Sequence, residues 1–252
     1  MKRSKWILLI TLLLMTGCVK TPVTNRSQFI LISTQQEIAM GMSESEKIKK
    51  SSTLSSNKQL VARIRQIGDK IAKVSGRDDF QWEFNVIESD QVNAFCLPGG
   101  KVFFYTGILK MMDNDDQIAA VMGHEIAHAL ARHGAERMSI QMVSQAGGQI
   151  LGAVLEVPAQ YQDLYQQAYG MSSNIAVMLP FSRSHEHEAD QIGVYLMWKA
   201  GFNPNEAVVF WQKMLKASQG KNVPEFLSTH PSEHSRIDEI NAFIKTLRNR
   251  DR

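Results

Sequence analysis

The five residues His124-Glu125-Ile126-Ala127-His128 carry the clearest chemical signal in this chain of 252 residues. On a helix, residues four apart lie on the same face, separated by about 6 Å along the axis. Two imidazoles placed in this way can bind one Zn²⁺ ion, and the glutamate between them can reach a water molecule beside the metal. The motif therefore predicts a zinc site with Glu125 as its general base.

The flanking sequence indicates that this motif lies on a helix. Acidic and amide side chains at 113–116 offer an N-terminal cap and charges that favour the helix dipole. Apolar residues then recur at three- and four-residue steps from Ile118 to Leu130, which is helical periodicity. We expect this helix to end near Gly134. An exposed helix with two incidental histidines is the alternative interpretation.

A catalytic zinc site needs a third protein ligand and an open fourth position. An extended form of the motif would supply a histidine at position 134, where this chain has glycine, and His133 is out of register. A second predicted helix, starting at residue 182, offers Glu186 and, one turn later, Asp190. Glu188 lies about 200° around that helix from Glu186, so both cannot face one metal. A solvated, acidic helix start is the alternative.

Together these residues resemble the M48 family of zinc metallopeptidases. That family pairs HExxH with a downstream helix of the SRxxExxAD type, and here SRSHEHEAD begins 58 residues after the first histidine of HEIAH. The resemblance implies one zinc ion per chain, with His124, His128 and Glu186 as ligands and Glu125 as general base. Asp190 matches an acid that the family uses either beside the ligands or as a proton donor.

Two further segments extend the resemblance to roughly residues 25–245. Residues 93–100, NAFCLPGG, resemble the NAxxxPGG segment of the family, and residues 229–232, THPS, resemble its late HP motif. Asn93 could hydrogen-bond a substrate peptide or be an ordinary turn residue. His230 could polarise the scissile carbonyl, stabilise an oxyanion, or occupy the open zinc position in a resting state. The resemblance is to the periplasmic lipoprotein and mitochondrial quality-control branch.

The predicted fold is α+β, mainly helical, with a small β-sheet beside the HExxH helix. Apolar residues alternate along 80–86 as in a strand, and residues 91–95 and 101–105 flank a Pro-Gly-Gly turn as a hairpin. An edge strand of this hairpin could bind an extended peptide. Residues 136–179 are expected to form a helical hairpin that packs on the domain or covers the cleft. The resulting zincin-like metallopeptidase domain spans residues 33–252.

The N-terminus predicts export to a bacterial cell envelope. Three basic residues precede an apolar run that is too short to span a membrane and fits a signal peptide covering residues 1–17. The sequence LMTGC resembles a lipobox, so Cys18 is expected to become the lipidated first residue, followed by a tether through residue 32. A secreted protein without lipid is the alternative. Because Val19 rather than aspartate follows, we expect an outer-membrane anchor that faces the periplasm.

Composition excludes some classes of function. The chain has 28 basic and 25 acidic residues, and removal of residues 1–17 takes away three basic ones and leaves 25 of each. A mature chain without excess positive charge gives no indication of nucleic-acid binding. With Cys18 lipidated, Cys96 would be left without a disulfide partner in the chain, and it lacks a catalytic setting. The remaining histidines are expected to be structural or solvent-facing: His133, His185, His187 and His234.

We therefore expect a membrane-anchored zinc endopeptidase that hydrolyses misfolded or misassembled envelope proteins. Its expected partners are these unfolded substrates, the membrane that holds the lipid anchor, and the outer-membrane assembly machinery. One alternative is a lipoprotein chaperone or assembly factor whose zinc site is structural or latent. Another is a zinc hydrolase that acts on peptidoglycan or small esters. The intact Glu125 argues against a purely structural site, because such a site needs no base.

Overall fold

The computed structural model describes residues 18–173, 178–220, 223–231 and 233–250. The predicted signal peptide at 1–17 and the serine of the THPS segment lie outside the described residues. The strands are β1 (Cys18–Lys20), β2 (Ser27–Phe29), β3 (Glu83–Ile87), β4 (Ala94–Leu97) and β5 (Lys101–Tyr105). The α-helices are α1 (Thr34–Ser51), α2 (Lys58–Val74), α3 (Thr106–Leu109), α4 (Asp115–Leu130), α5 (His133–Val154), α6 (Gln162–Ser173), α7 (Leu179–Lys199), α8 (Asn205–Ser218), α9 (Phe226–Thr229) and α10 (His234–Arg250).

A three-stranded sheet lies beside these helices, which confirms the predicted α+β, mainly helical fold class. The strand order is β3-β5-β4, with β3 parallel and β4 antiparallel to β5. β4 and β5 form the predicted hairpin, although β4 begins at Ala94 rather than near residue 91. Gly99 and Gly100 allow its turn because both have a positive φ, of 83° and 84°. β4 is therefore an edge strand of the described sheet.

The helix that carries HEIAH lies inside the protein. Nearly every residue of α4 is buried, and Ile126 on α4 and Ile192 on α7 are both 0% exposed. The core around α4 is formed by α2, the sheet, α7, α8 and α10. A helix that is apolar on most of its faces is buried in this way. The alternative of an exposed helix with incidental histidines is therefore wrong.

The two helices that carry the zinc motifs, α4 and α7, pack directly against each other at Gly123 and Gly193. A Cβ atom added to Gly193 would lie 2.7 Å from the backbone nitrogen of His124. Such a distance is too short for any residue with a Cβ, so glycine is what allows the approach. The close packing brings Glu186 and Asp190 of α7 next to His124.

α4 begins where the sequence indicates but ends earlier. Asn114 is its N-cap, and the side-chain oxygen accepts a hydrogen bond from a backbone N–H of the first turn. The expected stop at Gly134 is wrong, because the helix ends at Leu130 and Gly134 lies in the first turn of α5. Arg132 forms the break with a left-handed φ of 53°, and its guanidinium donates to Glu37 on α1. An ion pair thus holds a backbone conformation that non-glycine residues rarely adopt.

The segment after Cys18, expected to be a tether, folds onto the catalytic helices instead. β1 and β2 pair antiparallel as a small hairpin, hereafter the N-terminal hairpin (residues 18–29). Thr21 and Gln28 are each 2% exposed, and Gln28 donates hydrogen bonds to the carbonyl of Ala131 and the carboxylate of Glu136. Polar residues are buried here because acids on α5 and α7 supply their hydrogen-bond partners.

α5 and α6 lie against each other within 136–179, the region where the sequence predicts a helical hairpin. Tyr165 and Tyr169 of α6 pack on Gly152 and Gly148 of α5. Several apolar side chains of the region are more than half exposed: Met142, Ile150, Val154, Leu155, Tyr161, Leu164 and Met171. Within the described ranges, no helix is long and apolar enough to cross a membrane. A role in covering the cleft stays a prediction.

Candidate metal centre

Three separate parts of the chain bring four metal-binding side chains together. On α4, His124 Nε2 and His128 Nε2 are 3.2 Å apart. From α7, the two carboxylate oxygens of Glu186 each lie 3.3 Å from one of these nitrogens. Directly after α9, His230 Nδ1 lies 3.1 Å from Glu186 Oε2 and 3.3 Å from His124 Nε2. The four ligand atoms all lie within 4.8 Å of one another.

This donor set fits zinc. Zn²⁺ binds imidazole nitrogen and carboxylate oxygen at about 2.0–2.2 Å and takes four ligands in a tetrahedral arrangement. His124, Glu186 and His230 are all buried, so the protein shields the cluster from most bulk water. The three ligands that the sequence predicts therefore lie together. His230 adds a fourth nitrogen, for which the sequence left three roles open.

Glu125 lies beside this cluster and is 2% exposed. Its Oε1 lies 3.5 Å from His230 Nε2 and makes no hydrogen bond within the described part of the chain. Burial raises the pKa of the Glu125 carboxyl above its ordinary value, although the neighbouring histidines oppose the shift. A carboxyl whose pKa is raised in this way is suited to accept a proton and to return it during a reaction.

Arg236, which the sequence did not single out, holds the acid beside the first histidine. Its guanidinium donates to both oxygens of Asp190, at 2.7 and 2.8 Å, and its Nη1 lies 3.1 Å from Glu186 Oε2. Asp190 Oδ1 in turn lies 3.0 Å from His124 Nδ1. Arg236 is 2% exposed, and its guanidinium lies over the Trp211 ring at 3.8 Å. Asp190 therefore lies beside the ring nitrogen of His124 that faces away from the cluster, held there by Arg236.

His133 lies closer to the site than the sequence indicates. Its Nδ1 is 2.8 Å from His128 Nδ1, its Nε2 is 3.0 Å from Glu188 Oε2, and the His185 ring stacks on it at 4.0 Å. Glu188 thus points away from the metal cluster, on the other side of α7 from Glu186, as helix geometry predicts. The alternative of a solvated acidic helix start is wrong, because Glu188 is 5% exposed.

Burial and neighbouring charges shift the pKa values of these groups in opposite directions. Burial lowers the pKa of His124, but the carboxylates of Asp190 and Glu186 outweigh it and raise the value to about 9. Burial lowers the pKa of His128 well below its ordinary value and that of His133 to about 4. Burial disfavours the charge of Glu186, yet nearby histidines hold its pKa well below the usual range. A metal ion bound at this cluster would therefore have to displace a proton from His124 but not from Glu186.

The other residues that the sequence singled out lie on the neighbouring strand or at the N-terminus. Asn93 directly precedes β4, and its side-chain oxygen accepts a hydrogen bond from the backbone N–H of Ala94 at 2.9 Å. On β4, burial and the charge of Glu125 raise the pKa of the Cys96 thiol, which disfavours a nucleophilic role. Cys18 begins β1. Peptide binding by Asn93 and lipidation of Cys18 stay predictions.

A helix with two histidines and a base, packed on a second helix that supplies a carboxylate, is the arrangement that zinc metalloproteases use. The family model described as Peptidase family M48 matches residues 58–244, which is most of the chain. The chain therefore belongs to peptidase family M48, and the resemblance seen in its motifs is confirmed.

Individual relatives show the same similarity. The chain is 36% identical over 228 residues to the mitochondrial metalloendopeptidase OMA1 of Schizosaccharomyces pombe, which covers 88% of this chain and 65% of that protein. OMA1 of Saccharomyces cerevisiae is 34% identical over 244 residues, or 89% of this chain and 68% of the relative. The beta-barrel assembly-enhancing protease of Escherichia coli K12 is 31% identical over 213 residues, or 82% and 43%. The chain thus spans about two thirds of the fungal relatives and under half of the bacterial one.

Proposed function

We propose that this protein is a lipid-anchored zinc endopeptidase of a bacterial envelope that cleaves misfolded or misassembled envelope proteins. The observation that carries the endopeptidase assignment is the position of Glu125. It is a buried carboxylate, with one oxygen that makes no hydrogen bond in the described chain, beside four metal-binding side chains. A purely structural zinc site has no use for such a group.

The proposed mechanism gives each of these side chains a step. Zinc held by His124, His128 and Glu186 would supply Lewis-acid chemistry to a water molecule and to the peptide carbonyl. Glu125 takes a proton from the water as the water oxygen attacks the carbonyl carbon. It then delivers that proton to the amine nitrogen of the leaving peptide as the C–N bond breaks. Asp190, beside His124 Nδ1, keeps the His124 ring turned so that Nε2 faces the metal.

The open edge of β4 supports a protein substrate. β4 packs beside α4, and its outer edge has no strand partner among the described residues. An extended peptide can add to such an edge through main-chain hydrogen bonds. A groove of about 590 Å³ lies at the end of β4, with apolar walls that include Met40, Leu97, Pro98 and Met138. Unfolded proteins present the extended, apolar segments that suit this edge and groove.

The position of His230 supports a closed resting state. Its Nδ1 lies among the ligand atoms and its Nε2 lies 3.5 Å from Glu125, so the ring fills the space between the cluster and the base. The ring also stacks on Phe226 at 4.5 Å. Of the three roles that the sequence left open, occupation of the fourth ligand position has the most support. Cleavage would then require His230 to move away when substrate binds.

A kinetic comparison separates this role of His230 from a catalytic one. If His230 closes the site, His230→Ala should cleave an unfolded substrate faster than wild-type protein and should bind zinc more weakly. If His230 stabilises the oxyanion, the same variant should lose activity at saturating zinc, which would contradict the closed resting state.

The envelope location rests on the N-terminal sequence and on one relative. The basic and apolar residues before Cys18 fit a signal peptide and a lipobox. The bacterial relative carries beta-barrel assembly in its name, while the fungal relatives are named mitochondrial. Metabolic labelling with radioactive palmitate tests the anchor. Label should be lost in Cys18→Ser and kept in Cys96→Ser, and label on Cys18→Ser would contradict the anchor.

The endopeptidase assignment is tested with Glu125→Gln and, as a matched control, Glu88→Gln, which changes an exposed glutamate. Zinc content and cleavage of an unfolded β-barrel protein are measured on both. Glu125→Gln should keep its zinc and lose cleavage by about 10²–10⁴-fold, the usual contribution of a general base. Undiminished cleavage by folded, zinc-loaded Glu125→Gln protein would refute the endopeptidase assignment. Zinc-loaded wild-type protein that suppresses aggregation without cleaving would favour the chaperone alternative.

The choice of Glu186 as ligand has its own test on the same helix. Glu186→Ala should lose far more zinc affinity than Glu188→Ala, because only Glu186 contacts the other ligand atoms. Equal zinc content in the two purified variants would contradict this choice.

A further inference from the structure

The two histidine ligands on α4 differ in what supports them. A histidine that binds a metal through Nε2 carries its proton on Nδ1, and an acceptor at Nδ1 fixes the ring and the tautomer. For His124 the group beside Nδ1 is the carboxylate of Asp190, whose Oδ1 lies 3.0 Å away as an ion-pair contact without hydrogen-bond geometry. For His128 the atom within reach is a nitrogen, His133 Nδ1, at 2.8 Å. His128 therefore depends on a second histidine rather than on a carboxylate.

The contacts of His133 define where its own proton lies. Its Nε2 is 3.0 Å from Glu188 Oε2, and an ionised carboxylate can only accept a hydrogen bond. His133 therefore carries its proton on Nε2, and its Nδ1 lone pair faces His128. One directed chain results, in which His128 donates to His133 and His133 donates to Glu188. This chain leaves His128 Nε2 unprotonated and directed at the metal cluster.

The N-terminal hairpin fixes the far end of this chain. Glu188 Oε1 accepts hydrogen bonds from the hydroxyls of Thr21, at 2.7 Å, and of Thr24, and Glu188 Oε2 accepts one from Arg26 Nε at 2.8 Å. Arg26 also donates to both oxygens of Glu136, at 3.0 and 2.7 Å. The hairpin thus holds the Glu188 carboxylate against His133 with three donors, although each of these donors lies more than 160 residues before Glu188 in the chain.

The backbone between the two histidines supports the same interpretation. Arg132 stands directly before His133 and has a left-handed φ of 53°. Its guanidinium donates to Glu37 at 2.7 Å and to the carbonyl of Ile32 at 2.7 Å. This turn brings His133, the first residue of α5, back onto His128 in the last turn of α4. A left-handed conformation at a non-glycine residue persists where surrounding contacts enforce it.

We propose that His133 is a positioning residue for the metal ligand His128, and that the N-terminal hairpin keeps it in place by holding Glu188. The proposal rests on the proposed zinc site, and it adds to that site a support that begins at the predicted membrane anchor. Removal of the hairpin contacts should loosen one zinc ligand without touching the metal cluster itself.

Conservative and disruptive variants of His133 test the proposal. His133→Phe keeps a planar ring but removes both hydrogen bonds, whereas His133→Gln can still accept from His128 and donate to Glu188. Zinc affinity is measured by competition with a chelator, and ligand geometry by the visible absorption of the Co²⁺-substituted protein. His133→Phe should bind zinc about 10–100-fold more weakly, as for other supports of metal ligands, and should shift the Co²⁺ bands. His133→Gln should restore most of the affinity and the bands.

A control histidine and a distant threonine keep the test decisive. His187 on α7 has its Nδ1 2.7 Å from Glu239 Oε2 and is not one of the four clustered side chains, and His187→Gln should leave both readouts unchanged. If His133→Phe does not fold, Thr24→Val weakens the hold on Glu188 from the hairpin, with the exposed Thr53→Val as its control. Thr24→Val should weaken zinc binding and shift the Co²⁺ bands in the same direction, by less.

The outcomes separate failure of this proposal from failure of the proposed function. Wild-type zinc affinity with unchanged Co²⁺ bands in His133→Phe, or in Thr24→Val if that is the variant that folds, would overturn the positioning role. An equal loss in His187→Gln would do the same. A wild-type protein that binds neither zinc nor Co²⁺ at this site would overturn the proposed function together with the inference built on it.

Discussion

Replacing Gly193 with alanine tests whether the contact between α4 and α7 sets the geometry of the metal centre. A Cβ atom at this position would lie 2.7 Å from His124 N and 2.9 Å from the carbonyl carbon of Gly123. Neither atom can rotate away, because both belong to the backbone of α4. Carbon atoms prefer separations of about 3.5–4.0 Å, so the helices must move apart by roughly 0.6 Å or more at this point.

This displacement should cost both metal affinity and stability. Overpacking costs about 1–3 kcal/mol, and alanine recovers up to about 1 kcal/mol because it forms helix better than glycine. The free energy of unfolding of the metal-free protein should therefore fall by about 0–2 kcal/mol. Metal–ligand distances tolerate changes of only about 0.2 Å. Moving His124 away from Glu186 by more than this should weaken zinc binding by about 10-fold or more.

The assay pairs chelator competition for zinc with urea unfolding of the metal-free protein. Gly134→Ala is the matched control, because a Cβ there would meet no atom of the described residues within 4 Å. It should keep its zinc affinity and gain up to about 1 kcal/mol of stability. Zinc binding by Gly193→Ala that is as tight as in wild-type protein would refute the reasoning, whatever its stability.

Three further predictions concern stability. Burial disfavours the charge of Glu136, but hydrogen bonds from His185 and Arg26 lower its pKa from 4.5 to about 2. The stability that the Glu136 charge contributes is therefore complete above pH 4.5 and is lost as the pH falls through about 2. The urea midpoints of Glu136→Gln and wild-type protein should converge over that range. A difference between the two midpoints that stays constant with pH would contradict this prediction. Arg236→Leu leaves the Asp190 charge buried and should lower the free energy of unfolding by about 3–5 kcal/mol, with partial recovery on adding Asp190→Asn. No recovery in the double variant would argue against this pair. Removing zinc with a chelator should lower the Tm, and free zinc at about a thousand times its Kd should restore about 4 kcal/mol of the free energy of unfolding. A Tm that does not change with zinc concentration would exclude selective binding of zinc to the folded state.

The parts of the fold that the sequence predicts are those set by local patterns. The i,i+4 spacing of His124 and His128 and the apolar period around them suffice to predict α4. The Pro-Gly-Gly turn suffices for the β4–β5 hairpin, because its glycines adopt a positive φ that other residues avoid. The angular argument that separates Glu186 from Glu188 also needs only helix geometry, and the two carboxylates do face different partners.

The parts that the sequence does not predict depend on contacts between distant residues. Nothing local distinguishes Arg236 from other basic residues, and its importance lies in a bidentate pair with Asp190, 46 residues away. The turn at Arg132 lacks the glycine or asparagine that usually marks a left-handed residue, so the return of His133 onto His128 has no signature. The N-terminal hairpin has the polar composition of a linker, and its Thr21 and Gln28 are buried because their partners are buried acids on α5 and α7.

The ligands of the metal cluster are widely spaced along the chain. His124 and His230 are 106 residues apart, and Glu186 lies between them. Ribosomes make proteins from the N-terminus, so a growing chain contains HEIAH long before it contains the other two ligands. The complete set of ligands exists only after residue 230 has been added and α4 and α7 have packed together. A chain that ends before residue 230 would thus hold at most three of the four clustered side chains.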